Sequence, residues 1–190
     1  MRSSHLCAVL LVVSLSMCGM ALADEHDTPR HEVVALDKLL DAVSRNADTE
    51  FLVDARIDAD VVIGTLDIRK IDYGILLSVL RNNGLAAVRA ESVTKIVPVS
   101  VVRQHALPII RENDPSIADD EWVTRTLVLE KVKASGLVPI LRPMVQQAGH
   151  LAAIAGSNML VIVAPYGVTE RLVEIAEEAD QNFPDQQPES

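Results

Sequence analysis

Aromatic side chains are scarce. Among 190 residues there are one tryptophan, two tyrosines and two phenylalanines: Trp122, Tyr73, Tyr166, Phe51 and Phe183. Sugar- and base-stacking surfaces are built on aromatic rings, so the composition speaks against both. Basic charge is also short. Seventeen Lys and Arg face 27 Asp and Glu, for a net charge of −10, and a chain of this sign repels nucleic acid and anionic lipid headgroups. The only cysteines are Cys7 and Cys18.

Both cysteines lie in a stretch that reads as a secretory leader. Arg2 supplies a short basic start, Leu6 to Leu15 is apolar, and "SMCGMALA" ends in small residues, with Ala21 and Ala23 at the −3 and −1 positions of an A-x-A site. The apolar run is too short for a membrane anchor, so residues 1–23 are expected to be a signal peptide cleaved after Ala23, which places the mature chain outside the cytoplasm without direct membrane insertion. Cleavage there removes both thiols, leaving neither a disulfide nor a Cys-ligated metal. The alternative is a lipoprotein signal at "LSMC" with the lipid on Cys18; Met17 is too bulky for the small residue expected before that cysteine.

Catalytic constellations are missing as well. His26 and His31 fall in the acidic lead "DEHDTPRHE", His105 near the middle and His150 at the start of an apolar run, in no metal-ligand spacing. Ser157 in "AGSNM" lacks the G-x-S-x-G elbow and reads as a turn serine. No Gly-rich loop carries a phosphate-binding lysine. Lys131 and Lys133 beside a helix start could hold an anion, though a solvated strand end is the simpler reading. No enzyme, catalytic residue, metal or cofactor is expected, and no binding residue is singled out.

What is present is aliphatic patterning in two compact blocks. In the first, Leu36, Leu39, Leu40, Val43 and Ala47 recur at helical spacing behind Asp37, a plausible N-cap. "EFLVDARI" and "ADVVIGTLDI" read as strands, the second alternating Val61, Ile63, Leu66 and Ile68 around Gly64, a candidate bulge. Ile71, Ile75, Leu76, Val79 and Leu80 form a second helical stripe that "NNG" stops, with Gly84 as the left-handed cap. "LAAVRA" and "TKIVPV" close the block. Residues 33–101 are thus expected to form one α+β domain, and 102–121, with Pro108, Pro115 and an acidic cluster, a linker.

The second block, 122–181, reads β-α-β-β-α. "VTRTLVLEKV" is a strand. The helix "KASGLVPILRPMVQQAG" turns Leu137, Ile140, Leu141, Met144 and Val145 inward, tolerates Pro139 in its first turn and is bent or ended early by Pro143. "HLAAIAGSNMLVIVA" is a hairpin turning at Gly156-Ser157-Asn158. The closing helix puts Leu172, Val173, Ile175 and Ala176 inward and leaves Glu170, Glu174, Glu177 and Glu178 outside. Residues 182–190 are a polar tail. This element order suits a KH-like fold, but a KH module needs a basic GXXG loop, and "QQAGHLAAIAG" has no basic residue other than His150; no nucleic-acid partner is expected.

Residues 51–98 resemble the first periplasmic domain of bacterial secretins, the resemblance resting on Asp54, Leu77-Ser78-Val79-Leu80, Gly84 and Lys95-Ile96-Val97-Pro98. "VTRTLVLEKVKASGLVPILRPMV" and "GSNMLVIVAPYGVTERLVEIAEEAD" are similar to the opening and close of the secretin's KH-like, ring-building second domain. The tandem order strengthens the resemblance, which is nearest to the secretins of type II secretion. It implies a non-enzymatic periplasmic role, with the first domain contacting inner-membrane platform proteins and the second stacking into a ring. No barrel-type strand series follows Asp180 within the 190 residues, so the expectation is a detached pair of secretin amino-terminal domains. Its partners would be inner-membrane secretion components, a full-length secretin or further copies of itself, and contact with a secretin would place it at the outer membrane. The alternative is a small periplasmic ligand-binding or sensory module of the kind found as signalling domains on TonB-dependent receptors.

Overall fold

The computed structural model describes residues 32–47 and 49–183. The expected signal peptide, the Cys18 alternative, His26, His31 and the tail beyond residue 183 lie outside the described residues.

The first half opens on β1 (Glu32–Ala35), α1 (Leu36–Ala47), β2 (Phe51–Val53) and β3 (Asp60–Gly64), followed by α2 (Tyr73–Asn82) and the hairpin β4 (Leu85–Arg89) and β5 (Thr94–Pro98). β1 pairs antiparallel with β3, and a second sheet runs β2-β5-β4 with β2 parallel to β5. Leu39 and Val43 of α1 and Leu76 and Leu80 of α2 pack on Val61, Ile63 and Ile96 in a single buried cluster. Each such side chain is worth about 1.5–3 kcal/mol of burial. α2 starts behind Asp72, whose Oδ1 accepts the Ile75 N–H, and Gly84 takes φ +72 just past its end.

Several local expectations change. β1 falls where no strand is expected: Glu32 closes the acidic lead and Val33–Ala35 open the first block, and pairing with β3 sets its register. Asp37 lies inside α1, not before it. Gly64 does sit at a bulge: the register passes from Glu32↔Gly64 to Val33↔Val62, so Ile63 is the extra residue, and Gly64 takes φ +67. Leu66 and Ile68 leave the strand, Ile68 opening a 3-10 turn over Ile68–Lys70 whose N-cap is Asp67.

Residues 99–121 run through a 3-10 turn, Val99–Gln104, to β6 (Ile109–Ile110), and Val102 and Leu107 are buried. They join Ala86, Val88, Val97 and Trp122 in a cluster lying between the two halves.

The second half is β7 (Trp122–Val128), α3 (Ala134–Leu141), β8 (His150–Ile154), β9 (Met159–Pro165) and α4 (Tyr166–Gln181), the β-α-β-β-α order. With β6 the sheet runs β6-β7-β9-β8, all antiparallel except the β6–β7 pair. Both helices pack on one face, where Leu137, Leu141, Leu172, Val173 and Ala176 meet Leu160, Ile162 and Ala164. The fold is α+β. Pro143 ends α3 early and opens a 3-10 turn. Because α3 begins at Ala134, Pro139 sits in its interior, not its first turn. Contrary to the inward reading, Ile140 (63% exposed) stands off the Ala134–Leu137–Leu141 face of α3 and Met144 (41%) lies in the 3-10 turn after it, while Val145 stays buried.

Candidate protein-docking surfaces

The chemistry-bearing residues singled out in the sequence are not brought together. His105 follows the 3-10 turn, its N–H donating to Val102 O, and His150 is the exposed first residue of β8. Ser157 lies exposed in a 3-10 turn. Among the described residues no group of three or more His, Cys, Asp or Glu could hold a metal, and no helix is long and apolar enough to cross a membrane.

The loop that contains Lys131 is closed on an internal carboxylate by its backbone, and Lys133 gives none of these bonds. The backbone N–H groups of Glu130, Lys131 and Val132 donate to the Asp180 carboxylate at 2.9, 2.8 and 2.7 Å. The neighbouring Asn158 donates from Nδ2 to Leu129 O and Val132 O and accepts the Ala134 N–H at Oδ1. Hydrogen bonds from Glu130 first, then Val132 and Lys131, hold the Asp180 carboxyl below its ordinary value of 3.8. A depressed folded pKa stabilises the fold above the unfolded value and loses that stabilisation as pH falls through the folded one. Asp180→Asn is therefore expected to lower Tm at pH 7 and to flatten the decline of Tm below about pH 4, as read by thermal melts across pH.

The residues that carried the family resemblance shape the fold. Asp54 accepts from Arg56 N–H, Nε and Nη2, and these bonds hold its carboxyl far below the usual carboxylate range. Leu77, Val79, Leu80, Ile96 and Val97 are buried. At the junction of the halves Glu121, 5% exposed, pairs with Arg89 at 3.0 Å; burial pushes its carboxyl up and Arg89 draws it back.

Among the described residues, Leu52 and Leu66 aside, the exposed large apolar side chains fall in three places. On the first half, Val33 and Val62 stand opposite each other across β1 and β3, both exposed. The amide of Asn83, the C-cap of α2, brackets the Val62 backbone, accepting its N–H and donating to its C=O. On the second half, the sheet face away from α3 and α4 carries the rung Val128–Met159–Ile154, with Thr126–Val161–Ala152 beside it; Val128 is 62% and Ile154 46% exposed. Ile109 lies on the same face at the β6 edge, beside Thr124. The third place is the outer surface of α3 and the 3-10 turn after it, with Ile140 and Met144, on the opposite side of that sheet. Apolar spacing alone reads Ile140 and Met144 as core; the buried face of α3, set by Ala134, Leu137 and Leu141, leaves Ile140 out, and Met144 falls beyond the helix.

No protein-family model matches the sequence. It is 27% identical over 176 residues to Secretin ExeD of Aeromonas hydrophila, and 28% identical over 178 residues to Secretin GspD 2 of Escherichia coli, each alignment covering 90% of this chain and 26% of the relative. Among solved structures, the Klebsiella pneumoniae type II secretion system outer membrane complex of PulD, PulS and the PulC HR domain matches with a TM-score of 0.65 at 24% identity, over 79% of this chain and 26% of that one. This chain resembles the amino-terminal domains of a type II secretin. It spans about a quarter of the length of the curated secretins it matches. The similarity runs through both halves of this secretin-like chain, because an alignment covering nine-tenths of it must cross 102–121.

Proposed function

We propose that the protein is a non-enzymatic periplasmic component of a type II-like secretion system and works by protein–protein contact. The observation that carries this reading is the alignment with secretins across nine-tenths of the chain. Two modules, 33–101 and 122–181, joined by 102–121, act as separate docking units, the second as a KH-like ring-building domain. The first offers the Val33–Val62 face to an inner-membrane component; in Klebsiella the secretin PulD is found with PulS and the PulC HR domain. The second offers the Val128–Met159–Ile154 face on one side and Ile140 with Met144 on the other. Two different apolar patches on opposite sides suit a heterologous, side-by-side contact with a further copy or with a full-length secretin.

Co-purification with tagged inner-membrane platform proteins and a tagged full-length secretin tests the reading; retention by neither set removes it. For the second face, the double substitution Val128→Glu with Ile154→Glu places charges on an exposed apolar rung. It is expected to abolish self-association in sedimentation experiments while shifting Tm little, since surface substitutions cost within about 0.5 kcal/mol.

A further inference from the structure

The acidic run Asp119-Asp120-Glu121 and the tryptophan behind it reach into both halves of the molecule. Toward α4, Glu121 C=O accepts the Tyr166 N–H at 2.8 Å and Asp119 C=O accepts the Gly167 N–H at 2.9 Å. These N–H groups belong to the first turn of α4, where a helix has no internal partners, and no side chain caps that end. Gly167 lets the segment close on the helix: a Cβ there would stand 3.2 Å from Asp119 Cβ.

Toward the first half, the Asp120 carboxylate accepts from Ser78 Oγ and from Arg81 Nη1, both on α2 and both at 2.5 Å. Glu121 Oε2 accepts from Arg89 Nη2 of β4 at 3.0 Å. The Trp122 ring is buried with Ala86, Val88 and Val97 of the β4–β5 hairpin. Backbone groups thus bind one half while the side chains bind the other. The two carboxylates are largely covered, with side chains 16% and 6% exposed, but the arginines they hold stay open to solvent at 41% and 56%.

We propose that residues 119–122 are a latch that fixes the two halves in one arrangement, so that the Val33–Val62 face and the Val128–Met159–Ile154 face move as one body while it is closed and separately when it opens. Trp122 supplies the adhesion, and the carboxylates set the direction in which α2 and β4 meet α4. The latch stands on intramolecular contacts and does not depend on which partner docks. Its opening breaks the Asp120 and Glu121 contacts and exposes the indole, while each half keeps its own core.

Trp122, the sole tryptophan, reports on the latch directly. In the full chain, Asp120→Ala with Glu121→Ala is expected to red-shift its emission and to speed tryptic cleavage after Arg111 roughly tenfold, the factor that corresponds to about 1.4 kcal/mol, with the far-ultraviolet circular dichroism retained. Unchanged emission and cleavage would overturn the latch. If that double variant loses its helical signal, the milder series decides: cleavage should rise from Ser78→Ala to Asp120→Asn to Asp120→Ala, and equal rates across the series overturn it. A charge exchange closes the test. Arg81→Asp combined with Asp120→Arg should return cleavage toward that of the unmodified chain, and failure to improve on Asp120→Arg alone counts against the latch.

Discussion

Trp122→Ala is expected to cost about 3–5 kcal/mol and to split one unfolding transition into two. The side chain is 2% exposed, and it is the largest member of a cluster drawn from both halves: Ala86, Val88 and Val97 from the first hairpin, Val102 and Leu107 from the connection, with Ala148 and Val163 packed beside them. Its removal leaves a cavity that none of these small residues can fill, and rigid strands on both sides limit collapse into it. The cores around Leu39 and Leu76 and around Leu160 and Leu172 do not touch the indole and stay intact. Cooperativity between the halves, by contrast, rests on this cluster. Urea denaturation followed by circular dichroism should show a lower first midpoint and a second, separate transition. Trp122→Phe, which keeps an aromatic ring, should lose less, about 1–3 kcal/mol, and retain a single transition. An unshifted midpoint for the alanine variant would remove Trp122 from any structural role at the junction.

The elements that were legible in the sequence are those whose signal is local. The stripe Leu76, Val79, Leu80 of α2, the hairpin of β4 and β5, and the closing helix with Leu172, Val173 and Ala176 inward all repeat at the period of the element they form, and each is observed. What stayed hidden depends on distant partners. β1 exists because β3 lies beside it, and nothing in "EVVA" announces that. The acids at 119–121 look like a solvated linker until α2 and β4 place Ser78, Arg81 and Arg89 against them. Arg125 is hidden for the same reason: within an alternating strand it is the charged residue on the covered face, 5% exposed, and it reaches Glu112 O and Glu170 across the sheet edge.

The docking faces were the least legible part. Exposure of Val128 and Ile154 follows from which side of the sheet the helices take, a choice made by the chain as a whole. An alternating strand shows only that two faces differ, not which one is left bare. The docking role proposed for these surfaces rests on the family resemblance, while the residues that carried the resemblance, Asp54 and Gly84 among them, hold turns and helix ends.

Asn158 shows how much more a turn residue can do than its sequence context reveals. "GSN" reads as a permissive bend, and Asn158 does take φ 48. Its amide, however, also ties the β8–β9 turn to the start of α3, with bonds of 2.7 and 2.8 Å to Leu129 O and Val132 O and 2.8 Å from Ala134 N–H. α3 has no side-chain cap of its own from Lys133, so Asn158 provides one from 24 residues away. Asn158→Ala leaves three part-buried groups without their partner at about 1 kcal/mol each and adds about 1 kcal/mol for a Cβ in the left-handed region without a compensating bond. The expected loss is about 3–4 kcal/mol, or a Tm lower by roughly 10 °C. Asn158→Gly relieves the backbone term and should recover about 1 kcal/mol of that loss. Asn158→Asp keeps the acceptor for Ala134 but turns a second carboxylate oxygen onto two carbonyls, so it should be no better than alanine. An aspartate variant as stable as the unmodified chain would show that the bonds to Leu129 and Val132 contribute nothing, and Asn158 would revert to being only a bend.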